Sequence, residues 1–447
     1  MHLQTLHVVY ITASLSGACA TAGEASFATM SRESSLGEAR ASKAREQDER
    51  ALDAASLDRG ALIRAVLDRN RSVESARHAW RAALARYRQA GALEDPMLMG
   101  SFAPLSIGAA HTRFGFELGV SQRIPLGGKL DAQAELAIAE ARAAESDYAE
   151  TRSRLALVAS QLFDDYFVAV RSLEIQAQHV ALVSALEQNA SAAYASGHAS
   201  VQDTLQAQSE LARLEYQSNV YETQRQVATA QINALLHRDP ERALPPPPAA
   251  VPARDSDPEA SPEKMLAQRP DIAAARARVR IADARRQVAE REYHPDLTLA
   301  LNYNSMWDMP EHRFMAGVSL NLPLQRERRQ AALDEAAAMR ASAESDSQNM
   351  TDAARAELAV SARRISEAER AVTLFEQRIV PLARERIEAV RAGFISAQNS
   401  FSALIEAERA LRSAELELLM ARADLSKQRA ALDRTLGHIP ELNEEQP

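Results

Sequence analysis

Lys129, preceded by Gly127 and Gly128, is the nearest approach in this sequence to a phosphate-binding loop. Leu130 follows it where that loop needs a hydroxyl, and Arg123 stands where it needs its first glycine, so phosphate cradling is rejected. The ten histidines include no His-Glu-x-x-His pair. His111 and His312 fall at equivalent places between apolar runs, and Met306, Asp308, Met309 and Glu311 lie near the second. That grouping offers at most a transient metal contact, and exposed loop residues are the plainer account. Cys19 is the single cysteine, which excludes a disulfide framework or a cysteine-rich zinc cluster within one chain. No nucleophile, base and pocket motif converge, so the chain does not read as an enzyme and calls for no cofactor or resident metal.

What could carry a function is therefore shape. Among 447 residues there are only 15 glycines and 18 prolines, where average usage gives about 50 together. Turn-rich folds need more. A net charge of −9 argues against a nucleic-acid surface. Beyond residue 20 no run approaches the ~18 apolar residues of a membrane-spanning helix, but barrel strands leave a much weaker signal.

The N-terminus resembles an export leader. Residues 3–20 are largely apolar or small, and Ala18-Cys19-Ala20 fits the small-residue cleavage rule. Leu15-Ser16-Gly17-Ala18-Cys19 also resembles a lipobox with Cys19 as the acylated residue, its apolar position one residue too far away. A basic n-region is missing, Arg32 being the first Lys or Arg. Residues 24–50 are charged, with few large apolar side chains, and read as a flexible arm.

From Lys129 to Asp239 there is no proline and one glycine, Gly197; from Leu324 to Leu436 there is one of each, Pro381 and Gly393. Both tracts are rich in Ala, Glu, Gln, Arg and Leu, with apolar residues at helical spacing, as in Leu155, Val158, Leu162, Tyr166 and Ala169. Each is expected to be two helices broken at its glycine. A helix from Leu130 to Ala195 would be about 100 Å long, which implies a coiled-coil-like assembly.

The chain is also an internal duplication. Asn70-Arg71-Ser72-Val73 corresponds to Arg269-Pro270-Asp271-Ile272, and Pro96 to Pro295, each 199 residues apart. Val120 to Leu126 matches Val318 to Leu324 at 198, and Gly197 and Gly393 differ by 196. The proline-rich stretch 240–265 is then the linker between halves.

Between its helices each half carries two strand-like runs. Phe114, Phe116, Leu118, Val120 and Ile124 alternate with Gly115, Glu117, Gly119, Ser121 and Arg123. Phe314, Ala316, Val318, Leu320 and Leu322, and Leu297, Leu299, Leu301 and Tyr303, alternate likewise with small or polar residues, and Met97 to Phe102 does so less cleanly. This is the pattern of a transmembrane barrel strand, and equally of a soluble sheet with one buried face. Four strands cannot close a membrane barrel, and open edges in lipid leave backbone groups unpaired, so a barrel requires several chains. Three chains would supply twelve strands.

The duplicated plan, Arg269-Pro270-Asp271-Ile272-Ala273-Ala274-Ala275-Arg276, the strand entry Tyr293-His294-Pro295-Asp296-Leu297, and Ile124-Pro125-Leu126-Gly127-Gly128-Lys129-Leu130 resemble the TolC family of outer-membrane efflux factors. The resemblance covers about residues 61–437. It implies a mainly α fold with a β-barrel section: a homotrimeric twelve-stranded barrel in outer-membrane lipid, continuing into a periplasmic α-helical coiled-coil barrel. It implies as partners a periplasmic adaptor and an inner-membrane pump of the resistance-nodulation-division type. The stretch Gln122 to Lys129 leans toward the heavy-metal branch. The Gly197 and Gly393 turns resemble the periplasmic tips that meet the adaptor. Ser200 and Ser396 stand where they would cap the next helix. In the family's pattern the second tip carries acidic aperture residues; here Asn399 and Ser402 occupy those positions, and only the first tip keeps an acid, Asp203.

The expected organisation is a leader (1–20), a flexible arm (21–60), repeat 1 (61–239), a linker (240–265), repeat 2 (266–437) and a tail (438–447). The expected function is a passive exit duct for metal cations or drugs; the alternative is a soluble periplasmic coiled-coil adaptor or scaffold whose sheet packs on itself.

Overall fold

The computed structural model describes residues 23–35, 52, 55–107, 114–196, 200–250, 269–396 and 398–439. Each half runs from a helix through two strands into two long helices. In the first half these are α1 (Arg59–Arg69), α2 (Arg71–Ala90), β1 (Met97–Phe102), β2 (Phe116–Pro125), α3 (Lys129–Ala195) and α4 (Val201–Leu235). In the second they are α5 (Pro270–Arg291), β3 (Asp296–Asn304), β4 (Phe314–Leu320), α6 (Arg326–Leu374), α7 (Val380–Ile395) and α8 (Phe401–Thr435). None of the described helices is long and apolar enough to cross a membrane.

The 67 residues of α3 extend about 100 Å. Its packing positions are mostly small, with Ala156, Ala159, Ser160 and Ala169 buried, which lets long helices lie close together. Large side chains gather at one level, where Leu62, Ile63 and Val66 of α1 pack on Phe163, Tyr166 and Phe167 of α3 and on Ile232 of α4. This cluster fixes α1 across the middle of the long hairpin.

Helices α4 and α8 each span 35 residues and start 200 apart. The preceding long helices start 197 apart, at Lys129 and Arg326, and end 200 apart, at Ala195 and Ile395. The second half thus gains three residues, and a π-helical turn, Phe375–Ile379, lies in the stretch that gained them. Pro381 follows, where it cannot donate to the Gln377 carbonyl.

The four strands form one antiparallel sheet in the order β1-β2-β3-β4, so the two halves meet between β2 and β3. Strands β1 and β4 are its open edges.

The arm needs correction. Residues 23–35 form a helix whose Phe27 and Met30, three residues apart, pack on Trp80, Leu84 and Tyr87 of α2 and Ile138 of α3. Phe27 stacks on Tyr87 at 5.2 Å, and Arg142 donates to Ser26 at 2.6 Å. Charged neighbours conceal these two anchors in the composition. Helix α1 also begins at Arg59, two residues inside the expected arm.

Candidate functional site

Strand pairing sorts side chains onto two unlike faces. Leu98, Val120, Leu301 and Ala316 lie in one cross-strand row, and Gln122, Leu299 and Val318 in another. On this face Leu98 is 81% exposed and Val318 69%, with Leu301 and Leu320 half exposed. The other face carries Ser101, Glu117 and Asn304 in one row and Arg123, Thr298 and Ser319 in another. A soluble sheet would cover such an apolar face with a second layer; here it stands bare. Aromatic rings collect at the end remote from the helices, where Phe116 lies 5.7 Å from Tyr303 and Tyr303 5.0 Å from Phe314.

At the opposite end the sheet is bolted to the helices. Lys129 and Asp296 are both buried and 2.8 Å apart, and Arg123 reaches Asp296 at 2.5 Å. The entry into α3 needs glycine: Gly127 has φ 71°, and a Cβ there would fall 2.2 Å from the His294 ring. Gly127-Gly128-Lys129 is thus a strand-to-helix corner, with its lysine spent on a carboxylate.

Along the helical section, buried ionic groups tie the two halves together. Arg59 meets Asp164 at 2.8 Å with both side chains fully buried, and Ser426 donates to the same carboxylate. Glu210 of α4, fully buried, takes Arg412 at 3.2 Å and also pairs with Arg409. His179 of α3 lies between Glu408, at 2.5 Å, and Glu415, at 3.1 Å, on α8. Burial alone would lower its pKa, but the bonds to these two carboxylates outweigh that and raise it to about 9. His179 is therefore an imidazolium at neutral pH.

At the far tip, the Ser200 hydroxyl accepts from Gln202 N and the Asp203 carboxylate accepts from Ser200 N, a capping box that starts α4. In the second half the hydroxyl that caps α8 is that of Ser400, accepting from Ala403 N at 3.2 Å.

A model of the outer membrane efflux protein family matches residues 62–237 and 261–438. The chain belongs to that family. It is a transport protein of the outer membrane, not an enzyme. CusC, whose structures were described with conformational changes accompanying folding and transmembrane channel formation, has the same fold. It is 19% identical, with a TM-score of 0.75 over 86% of this chain and 92% of that one. VceC of Vibrio cholerae gives 19% and 0.72 over 84% and 95%, and the open state of MtrE from Neisseria gonorrhoeae 19% and 0.72 over 85% and 89%. A search of curated proteins finds no match.

Not every expected site residue of this efflux protein lies where the spacing put it. Cys19, His111 and Gly197 fall outside the described residues. Gly393 does not break the second tract: it lies inside α7, which ends two residues later at Ile395, and its carbonyl accepts from Gln398 N and Asn399 N. Nor does Ser396 cap the next helix. It ends α7, donating to Ala392 O and Gly393 O, as Ser196 does to Ala192 O and Ala193 O at the end of α3. Gly197 and Gly393 lie 196 residues apart, whereas the helices at the tips repeat at 200, so Ser200 is matched by Ser400. Gly393 matters for another reason, since a Cβ there would fall 2.1 Å from Asn399 Nδ2. Asn399 folds back and donates to Val390 O.

Asp203, Asn399 and Ser402 share this end and are each partly buried. Ser402 donates to Gln206 Oε1 at 3.0 Å, a link between the two tips that residue spacing gave no means of finding. His312 sits in the turn Pro310–His312 with its ring edge-on to Trp307 at 5.9 Å. No metal-ligating group of three or more His, Cys, Asp or Glu occurs among the described residues.

Proposed function

We propose that three copies of this chain close their sheets into one twelve-stranded barrel, and that the barrel with its helical extension is the passive exit duct of a tripartite efflux system. The carrying observation is the four-stranded sheet with one bare apolar face and two unpaired edges. In lipid, open edges strand backbone donors and acceptors, and only closure removes them. Strand β2, of 10 residues, is about 34 Å long and spans about 25 Å at the usual ~40° tilt, the height of a barrel's apolar band. The polar face, with Glu117, Arg123 and Ser319, then lines a wet lumen.

The helical tube extends into the periplasm, and its tips meet the adaptor through the segments around Gly197, Ser200, Gly393 and Ser396. The exposure of Val201, Leu205 and Ile395 there, the last at 79%, supports an apolar contact. Asp203, Asn399 and Ser402 line the aperture. An inner-membrane pump of the resistance-nodulation-division type supplies the energy and chooses the substrate, a metal cation or a drug. Cys19 is the site of lipid attachment.

Fractionation and conductance test the reading together. The protein should sediment with outer membranes and give ion currents in a planar bilayer. Recovery as a soluble periplasmic protein would favour the adaptor alternative instead.

A further inference from the structure

The two strand-to-helix corners of the repeat have the same plan and different endings. In the first, Ile124-Pro125-Leu126 leads through two glycines to Lys129, which is buried against Asp296. In the second, Leu322-Pro323-Leu324 leads to Gln325 and then to Arg326, Arg328 and Arg329. Arg329 is used locally, donating to Glu292 O and Gln325 O. The side chains of Arg326 and Arg328 are exposed and make no hydrogen bond or ion pair with the described residues, the backbone N–H of Arg326 alone donating, to Leu324 O at 2.9 Å.

Leu320, Leu322 and Leu324 continue the alternation of the apolar face beyond the end of β4, and Leu322 and Leu324 are 67% and 79% exposed. Arginines in a first turn oppose the helix dipole, so helix stability does not account for them. Leucines that prolong a lipid-facing surface, followed at once by unspent cations, match the boundary between acyl chains and phosphates.

We infer that Leu322, Leu324, Arg326 and Arg328 form a binding surface for anionic phospholipid at the periplasmic edge of the barrel. The leucines contact the acyl chains, and the two guanidiniums take the headgroup phosphate. This rests on the channel reading and adds the lipid class that the barrel's lower rim selects. The occupant is a lipid rather than a free anion because the surface is continuous with the apolar belt, and its two arginines, with Glu327 between them, come within four residues of Leu324, the second of two bare leucines.

The test uses the detergent-extracted full-length protein, titrated separately with phosphatidylglycerol and phosphatidylcholine, with bound lipid counted by native mass spectrometry. The wild type should prefer phosphatidylglycerol. R326Q/R328Q should lose about fivefold of that preference per arginine, while R326K/R328K keeps most of it. An unchanged preference in R326Q/R328Q, or none in the wild type, would overturn the inference while leaving an outer-membrane trimer intact. Loss of the oligomer in R326Q/R328Q would also overturn it, by placing these arginines in contacts between copies. A wild-type protein that is not an outer-membrane oligomer would instead defeat the channel reading itself.

Discussion

Ser402 donates a hydrogen bond to Gln206 across 3.0 Å, joining the first turn of α8 to the second turn of α4. Both helices start at a serine cap within two turns of the bond, which therefore ties together the two hairpin tips that carry the proposed aperture. A single neutral bond of this kind is worth about 1 kcal/mol. Replacing Ser402 by alanine should therefore leave the melting temperature nearly unchanged and raise the open fraction in planar-bilayer recordings. Identical currents from the variant and the wild type would remove Ser402 from the gate.

His179 gives the helical section a pH dependence of definite sign. Its folded pKa of about 9 lies above its ordinary value near 6.5, because Glu408 and Glu415 hold the charged ring. The stability it contributes is fully present below pH 6.5 and is lost as the pH rises through 9. Thermal unfolding should fall between pH 7 and pH 10 in the wild type, and less steeply in His179→Gln. His179→Ala leaves Glu408 buried without its cation and should cost about 3 kcal/mol at neutral pH.

Arg59 and Asp164 make the corresponding argument for the middle of the hairpin. Both are fully buried, so removing either one takes from the other a buried opposite charge. Arg59→Leu or Asp164→Leu should each cost about 3–5 kcal/mol, and the double variant much less than their sum. Denaturant melts of all three give the comparison. Additive losses would mean that the two residues act separately.

The two faces of the sheet should respond differently to the same substitution. Leu301 lies on the apolar face and Ser319 on the polar one. Leu301→Lys should impair membrane assembly by about 2–4 kcal/mol, whereas Ser319→Lys should assemble normally and alter ion selectivity. Yield of folded protein in the outer-membrane fraction measures the first effect, and reversal potentials measure the second.

Much of the architecture is legible in the residue pattern alone, because it rests on periodicity. The long proline-poor tracts are helices, and the period-2 runs are strands with nearly the expected ends: the run read from Phe114 pairs from Phe116. What escaped was set by contacts distant in sequence. Gly393 looks like a break because glycine weakens helices, yet it lies in the last turn of α7, and the reversal combines its carbonyl, which accepts from Gln398 N and Asn399 N, with Ser396 and Ser400. Phe27 and Met30 lie in a charged stretch whose composition resembles a tail, and residues 50 or more positions away, among them Trp80, Tyr87 and Ile138, make them anchors. The ties Arg59–Asp164 and His179–Glu408 join residues 105 and 229 positions apart, beyond the reach of local pattern.

The open edges of β1 and β4 carry the central claim, and the mass of the native particle tests it most directly. Native mass spectrometry of protein extracted from the outer membrane in mild detergent should give three chains and no larger series. A monomer, or an open-ended ladder of sizes, would contradict a barrel shared by three copies.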